Sequence, residues 1–238
     1  MQNEDLTPGA SPVATDAPLT LSATEARVLG TLMEKARTVP DSYPLSLNSL
    51  VLGCNQKISR EPLMTLTDAQ AAEALDNLKS LNLVRESAVG RVLRFEHNFQ
   101  RGIKVPEQSA VLLGLLMLRG AQTAGELRLN SERWYKFADI SSVDGFLEEM
   151  QDRPVEKGGS LVVKLPRAAG LREQRWMHLL CGAVNLDAIH PGNNALNPLG
   201  AAEAGIAQRV TALEEEVAQL RQTVQKLCSE LGIDNDSS

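Results

Sequence analysis

The stretch Thr67-Asp-Ala-Gln-Ala-Ala-Glu-Ala-Leu-Asp-Asn-Leu-Lys-Ser-Leu-Asn-Leu-Val-Arg-Glu-Ser-Ala-Val-Gly-Arg-Val-Leu-Arg-Phe-Glu96 decides the fold, because its period changes midway. Thr67 and Gln70 have the spacing of a capping box, in which each side chain satisfies the other's free backbone N–H. Ala71, Ala74, Leu75 and Leu78 then share one helix face. From Leu83 the pattern shortens to alternation: Leu83 to Glu86, a turn through Ala88-Val-Gly90, then Arg91 to Glu96.

Upstream, Ser22-Ala-Thr-Glu25 is another capping box, followed by Leu29, Leu32, Met33 and Ala36 at helical spacing, and Val39 to Pro44 ends that helix. A short helix fits Leu47 to Gln56, capped by Ser46, and a polar loop runs from Lys57 to Leu66. Three helices followed by a basic hairpin is the order of a winged helix-turn-helix.

The order then recurs at a separation of roughly 80 residues. Val111, Leu112, Leu115 and Leu118 line a helix beginning near Pro106. Thr123-Ala-Gly-Glu126 caps a short helix reaching Arg128, and a polar loop holds Trp134, Tyr135 and Phe137. A helix is expected from Ser141, with Val143, Phe146, Leu147 and Met150 inward. Leu161 to Leu165 and Arg175 to Leu179 form the second hairpin. The expected fold is mainly α with small β-hairpin wings: tandem winged helices in residues 20–104 and 105–181. Residues 1–19 read as a disordered arm, 182–202 as a linker and 203–232 as a coiled-coil helix, with 233–238 a disordered tail.

Several segments also resemble the YceH family of uncharacterised bacterial proteins. They are Leu21-Ser-Ala-Thr-Glu-Ala-Arg-Val-Leu-Gly30, Cys54-Asn-Gln-Lys57, Gly90-Arg-Val-Leu-Arg-Phe-Glu-His97, Leu118-Arg-Gly-Ala-Gln-Thr-Ala-Gly-Glu-Leu-Arg128, Phe137-Ala-Asp139 and Val162-Val-Lys-Leu-Pro-Arg167. The resemblance spans about residues 20–181. It implies a winged-helix fold and a bacterial cytoplasmic setting, and brings no activity or catalytic residue with it.

Near the C-terminus, Ile206, Val210, Leu213, Val217, Leu220, Val224, Leu227 and Leu231 alternate spacings of four and three. Valine at a and leucine at d favour a parallel two-stranded coil, hence a homodimer. Arg209 would face Glu214 of the partner helix, and Glu216 would face Arg221. The alternative is a single amphipathic helix packed on its own body.

Of 238 residues, 43% are hydrophobic, 23% charged and 3% aromatic, an ordinary globular composition. The longest apolar run, Ala110 to Leu118, falls short of the ~18 residues a membrane span needs. Cys54, Cys181 and Cys228 are too dispersed for a disulfide framework or zinc site, so a reducing cytoplasm is the expected setting. His97, His178 and His190 have no metal-ligand spacing, and no phosphate loop or nucleophile elbow is present. No enzyme activity, metal or cofactor is expected.

The net charge of −6 sits in the tails. Residues 1–20 carry −3 and residues 201–238 carry −4, leaving +1 for the body. The hairpin regions are basic: residues 85–104 sum to +3 and 153–176 to +4. DNA is therefore the expected partner, contacted by Arg85, Arg91, Arg94, Lys164, Arg167, Arg172 and Arg175 through phosphates. Asn55, Gln56, Lys57 and Arg60 add amides and cations before the first reading helix, whose Gln70 and Asn77 present adenine-reading groups. Asp68, Glu73 and Asp76 on that helix oppose phosphate, as do Glu148, Glu149 and Asp152 on its counterpart. That acidity keeps a second reading open, a protein-interaction scaffold built on winged helices that do not enter a groove. Trp134, Tyr135 and Phe137 are either core anchors or a base-stacking platform.

Overall fold

The computed structural model describes residues 19–89, 92–167 and 173–184. The chain divides into residues 1–184 and 185–238, and everything described lies in the first unit. The heptad seam from Ile206 to Leu231 lies outside the described residues.

Helix α1 (Ala23–Thr38) starts at the Ser22–Glu25 capping box. Helix α2 (Leu47–Cys54) is capped by Ser46 and stops two residues earlier than its apolar pattern suggests. Helix α3 (Asp68–Ser80) starts at the Thr67–Gln70 box. Strands β1 (Val84–Val89) and β2 (Val92–His97) pair antiparallel in six-residue register, Val84 opposite His97 and Val89 opposite Val92. Helix α4 (Phe99–Ile103), absent from the sequence reading, buries Phe99 and Ile103.

The second half repeats this order. Helix α5 (Glu107–Arg119) follows Pro106, and α6 (Ala124–Ser131) starts at the Thr123–Glu126 capping box. Helix α7 (Ile140–Gln151) is capped by Asp139 rather than started at Ser141, because the Asp139 carboxylate accepts from the Ser142 backbone N–H at 2.7 Å. Strands β3 (Val162–Lys164) and β4 (Trp176–His178) form a three-residue ladder.

Each hairpin acquires a third partner from the chain just before the second helix of its half. Leu45 exchanges both backbone hydrogen bonds with Phe95 (3.1 and 2.8 Å), and Gln122 does the same with Trp176 (3.1 and 2.7 Å). Both positions lie two residues before a helix start, so the same backbone stitch closes both halves.

The halves share one core. Helices α1 and α5 approach closely where side chains are missing. A Cβ on Gly30 would sit 3.0 Å from Leu118 Cγ, and one on Gly114 would sit 2.7 Å from Trp134 Cζ3 and 3.2 Å from Met33 Cε. Trp134 and Phe137 are buried there as core anchors and offer no stacking platform. Buried side chains on both sides of residues 104 and 105 thus belong to one cluster.

Candidate interaction surface

The loop between α2 and α3 is held from within. Arg27, buried on α1, donates to the backbone oxygens of Cys54 (3.2 Å) and Pro62 (2.6 Å). Arg60 turns inward as well. Its guanidinium donates to Gly53 O, Ser59 O, Gln56 Oε1 and both oxygens of Glu34. Burial alone would raise the Glu34 carboxyl pKa, but the hydrogen bonds and charges of Arg60 and Lys35 together outweigh it and hold the group below its usual range. The Asn55 amide is closed on Leu66, donating to its carbonyl at 2.9 Å and accepting from its N–H at 2.7 Å. Arg60 and Asn55 therefore cannot serve as the phosphate and base contacts expected of them; they order the loop. Gln56, exposed, accepts from Lys35 and Arg60, and Lys57 is exposed beside it.

Helix α3, the one expected to read bases, is similarly committed. Gln70 closes the capping box, accepting from Thr67 N at 3.0 Å, and Asn77 donates to Glu25 Oε1 at 2.9 Å. The exposed side of α3 carries Glu73 and Asp76, that of α7 carries Glu148 and Glu149, and exposed Asp152 follows α7 as its C-cap. Neither face suits a phosphate-lined groove.

The hairpin arginines divide into two kinds. Arg94 donates to Pro44 O at 2.8 Å, and Arg175 donates to Ala121 O at 2.7 Å and pairs with Glu126 at 3.0 Å. Each arginine precedes the aromatic residue of the backbone stitch, and each acceptor precedes the residue stitched to it. The two segments Arg94-Phe-Glu-His97 and Arg175-Trp-Met-His178 thus use the same device to clamp a strand. This Arg-aromatic-x-His repeat was legible in the sequence and would have marked both arginines as structural. Arg85 is exposed on β1 opposite Glu96. Lys164 is exposed with its ammonium 4.9 Å from the Trp176 ring centroid, and Arg167 is exposed just beyond β3. Arg91 and Arg172 lie outside the described residues.

His97 and His178 end the two clamps, and burial pulls the pKa of each down to about 4, with Arg37 adding to the effect at His97.

Between α2, α3 and the first hairpin lies a groove of about 530 Å3 that sequence reasoning missed. Its apolar lining includes Leu47, Leu75, Phe95, Val92 and Leu93, and the last two are each 50% exposed. Adjacent residues on a strand point to opposite faces, so the Val92-Leu93 pair was the available signal: only one could point to the core. Asp76 and Glu86 stand on the rim and share Lys79, at 2.9 and 2.7 Å, which leaves the rim net negative. The corresponding recess of the second half, between α6, α7 and the second hairpin, holds only about 230 Å3, with Lys164 and Trp176 in its wall. Among the described residues no group of three His, Cys, Asp or Glu could hold a metal ion, and no helix is long and apolar enough to cross a membrane.

A mainly helical chain with two small antiparallel sheets, clamped alike, describes a class of architecture before any name. The family described as a protein of unknown function, DUF480, matches residues 21–171, and the chain belongs to it. This is the family that the YceH-like segments indicated. The chain is 67% identical over 228 residues to a UPF0502 protein of Albidiferax ferrireducens, covering 94% of this chain and 96% of that one. It is 59% identical over 213 residues to a UPF0502 protein of an Acidovorax species, covering 90% and 95%. A third, from Leptothrix cholodnii, is 53% identical over 220 residues, covering 91% and 97%.

Proposed function

We propose that this chain is a non-enzymatic protein-interaction module of the cytoplasm, built from two winged helices and paired through its C-terminal heptads. The groove beside α3 takes an apolar segment of a partner protein flanked by lysine or arginine. One observation carries this reading: half-exposed Val92 and Leu93 open an apolar groove whose rim and neighbouring helix face are acidic. Apolar anchors in such a groove supply affinity, and the acidic rim selects basic flanks.

The competing reading, a DNA-binding regulator, draws on the exposed Lys57, Arg85, Lys164 and Arg167 and on the sequence positions of Arg91 and Arg172, between the paired strands. One experiment separates the two. Full-length protein is titrated by fluorescence anisotropy against a synthetic peptide alternating leucine and lysine, and against mixed-sequence duplex DNA, each at low and high salt. The interaction reading expects saturable peptide binding that Val92→Asp with Leu93→Asp removes. Steeply salt-dependent DNA binding with no response to peptide overturns it. Pairing through the heptads expects a folded monomer in light scattering when Leu213 and Leu220 are both replaced by lysine. A persistent dimer in that variant would move the contact to the globular unit.

A further inference from the structure

We propose that the chain binds a small organic anion in a second cavity, of about 510 Å3, where the α4–α5 connection meets the turn after α7. The cavity is remote in composition from the groove beside α3, sharing no residue with it. Its lining brings together Lys104, Arg153 and Lys157, with Glu156 as the one carboxylate among them. The same lining holds the apolar side chains of Leu19, Ile103, Leu161, Leu179 and Leu180.

None of the three cations makes an ion pair among the described residues. Arg153 has five N–H donors and one bond, from Nη2 to Ile103 O at 2.7 Å. That bond holds the guanidinium in place, and burial pulls its pKa below the usual arginine value. A cation that is partly desolvated and lacks a counterion is relieved by an anion brought to it.

The backbone adds a second indication. Lys104, at the end of α4, has φ 53° and ψ 54°, the left-handed conformation that glycine adopts freely and lysine does not. The chain places a charged side chain at the cavity where glycine would close the helix with less strain. Beyond Lys157, Gly158 and Gly159 turn the chain with φ 98° and 73°, and Gly158 lines the cavity.

A cavity of this volume is the size of a small-molecule site. Cations and leucines lining one cavity fit a phosphate or carboxylate carried on an apolar body. Three cations lie within one cavity rather than along a stripe, so the ligand is compact and not a polymer backbone.

The test uses the full chain and phenyl phosphate as probe, with benzyl alcohol and inorganic phosphate as partial probes, followed by calorimetry and by methyl shifts of Leu161, Leu179 and Leu180. Phenyl phosphate is expected to bind at low-millimolar or better affinity, more tightly than either partial probe, and less tightly as salt rises. Benzoate in a parallel titration distinguishes a phosphate site from a carboxylate site. Lys104→Gly with Lys157→Gln removes two charges without touching the Arg153–Ile103 bond, and glycine suits the backbone at 104. This variant should keep its thermal midpoint and lose about tenfold or more in affinity. Unchanged affinity in the variant, or no saturable response of the three leucines, overturns the proposal.

Discussion

The two halves of the molecule have the same frame and different surfaces. In each, a capped second helix is preceded by one residue stitched to the hairpin, an arginine clamps the carbonyl before it, and a histidine with a lowered pKa ends the strand. The differences start where backbone pairing stops. The first hairpin runs six residues in register and flanks a groove of about 530 Å3; the second runs three and flanks about 230 Å3. Hydrogen-bonded backbone tolerates little change, because each buried N–H and C=O needs a partner. Hairpin length and rim charge have no such requirement, so the halves diverge there, and the candidate site lies in the half that stays open.

The largest expected effect breaks the comparison at a feature only the first half has. Arg60→Ala removes one of the two cations paired with half-buried Glu34, leaving Lys35, and also the donors of the loop, and should cost about 3–5 kcal/mol in urea unfolding. Lys57→Ala, three residues away and exposed, should stay within about 0.5 kcal/mol. Equal, small effects for both would mean that the loop is not held by the Arg60 network.

Next come the paired histidines. With a folded pKa of about 4 and an unfolded value near 6.5, the unfolded chain takes up the proton first. Stability is then fully present above pH ~6.5 and is lost as pH falls towards 4, by about 3 kcal/mol for His178. Urea midpoints measured across that range should fall together, and His178→Leu should remove roughly half of the slope. An unchanged slope would assign the pH dependence to other groups.

A smaller effect sharpens the match between the clamps. Arg94→Ala and Arg175→Ala should each cost about 1–3 kcal/mol, since each leaves a carbonyl without its donor. The second should be the larger, because Arg175 also pairs with Glu126. Stability unchanged in both would return these arginines to the surface role expected from charge alone. The smallest effect is reserved for the groove. Val92→Asp with Leu93→Asp should alter stability by less than about 1 kcal/mol, since both are half exposed, while removing peptide binding.

Most helix starts were legible because a capping box is local: Ser22 with Glu25, Thr67 with Gln70 and Thr123 with Glu126 all fall within four residues. The α7 start was misplaced by one residue of context, since Asp139 and Ser142 form an equivalent box with different side chains. Charge was the poorest guide. Arg60, Arg94 and Arg175 look alike in a count of cations, yet one is buried and two grip carbonyls contributed by residues about 50 positions away. No local pattern reports where such an acceptor will be.

By itself the sequence determined every described helix but α4, most of the helix caps, the two hairpins, the repetition of their order and the family. These follow from periodicity and from contacts within a few residues. Tertiary structure alone decided which cations remain available, that both halves share one core through Gly30 and Gly114, and that Val92 and Leu93 border an open groove. The physical reason is common to all three. A side chain's freedom depends on the groups that folding brings to it, and here those groups are contributed by distant parts of the chain.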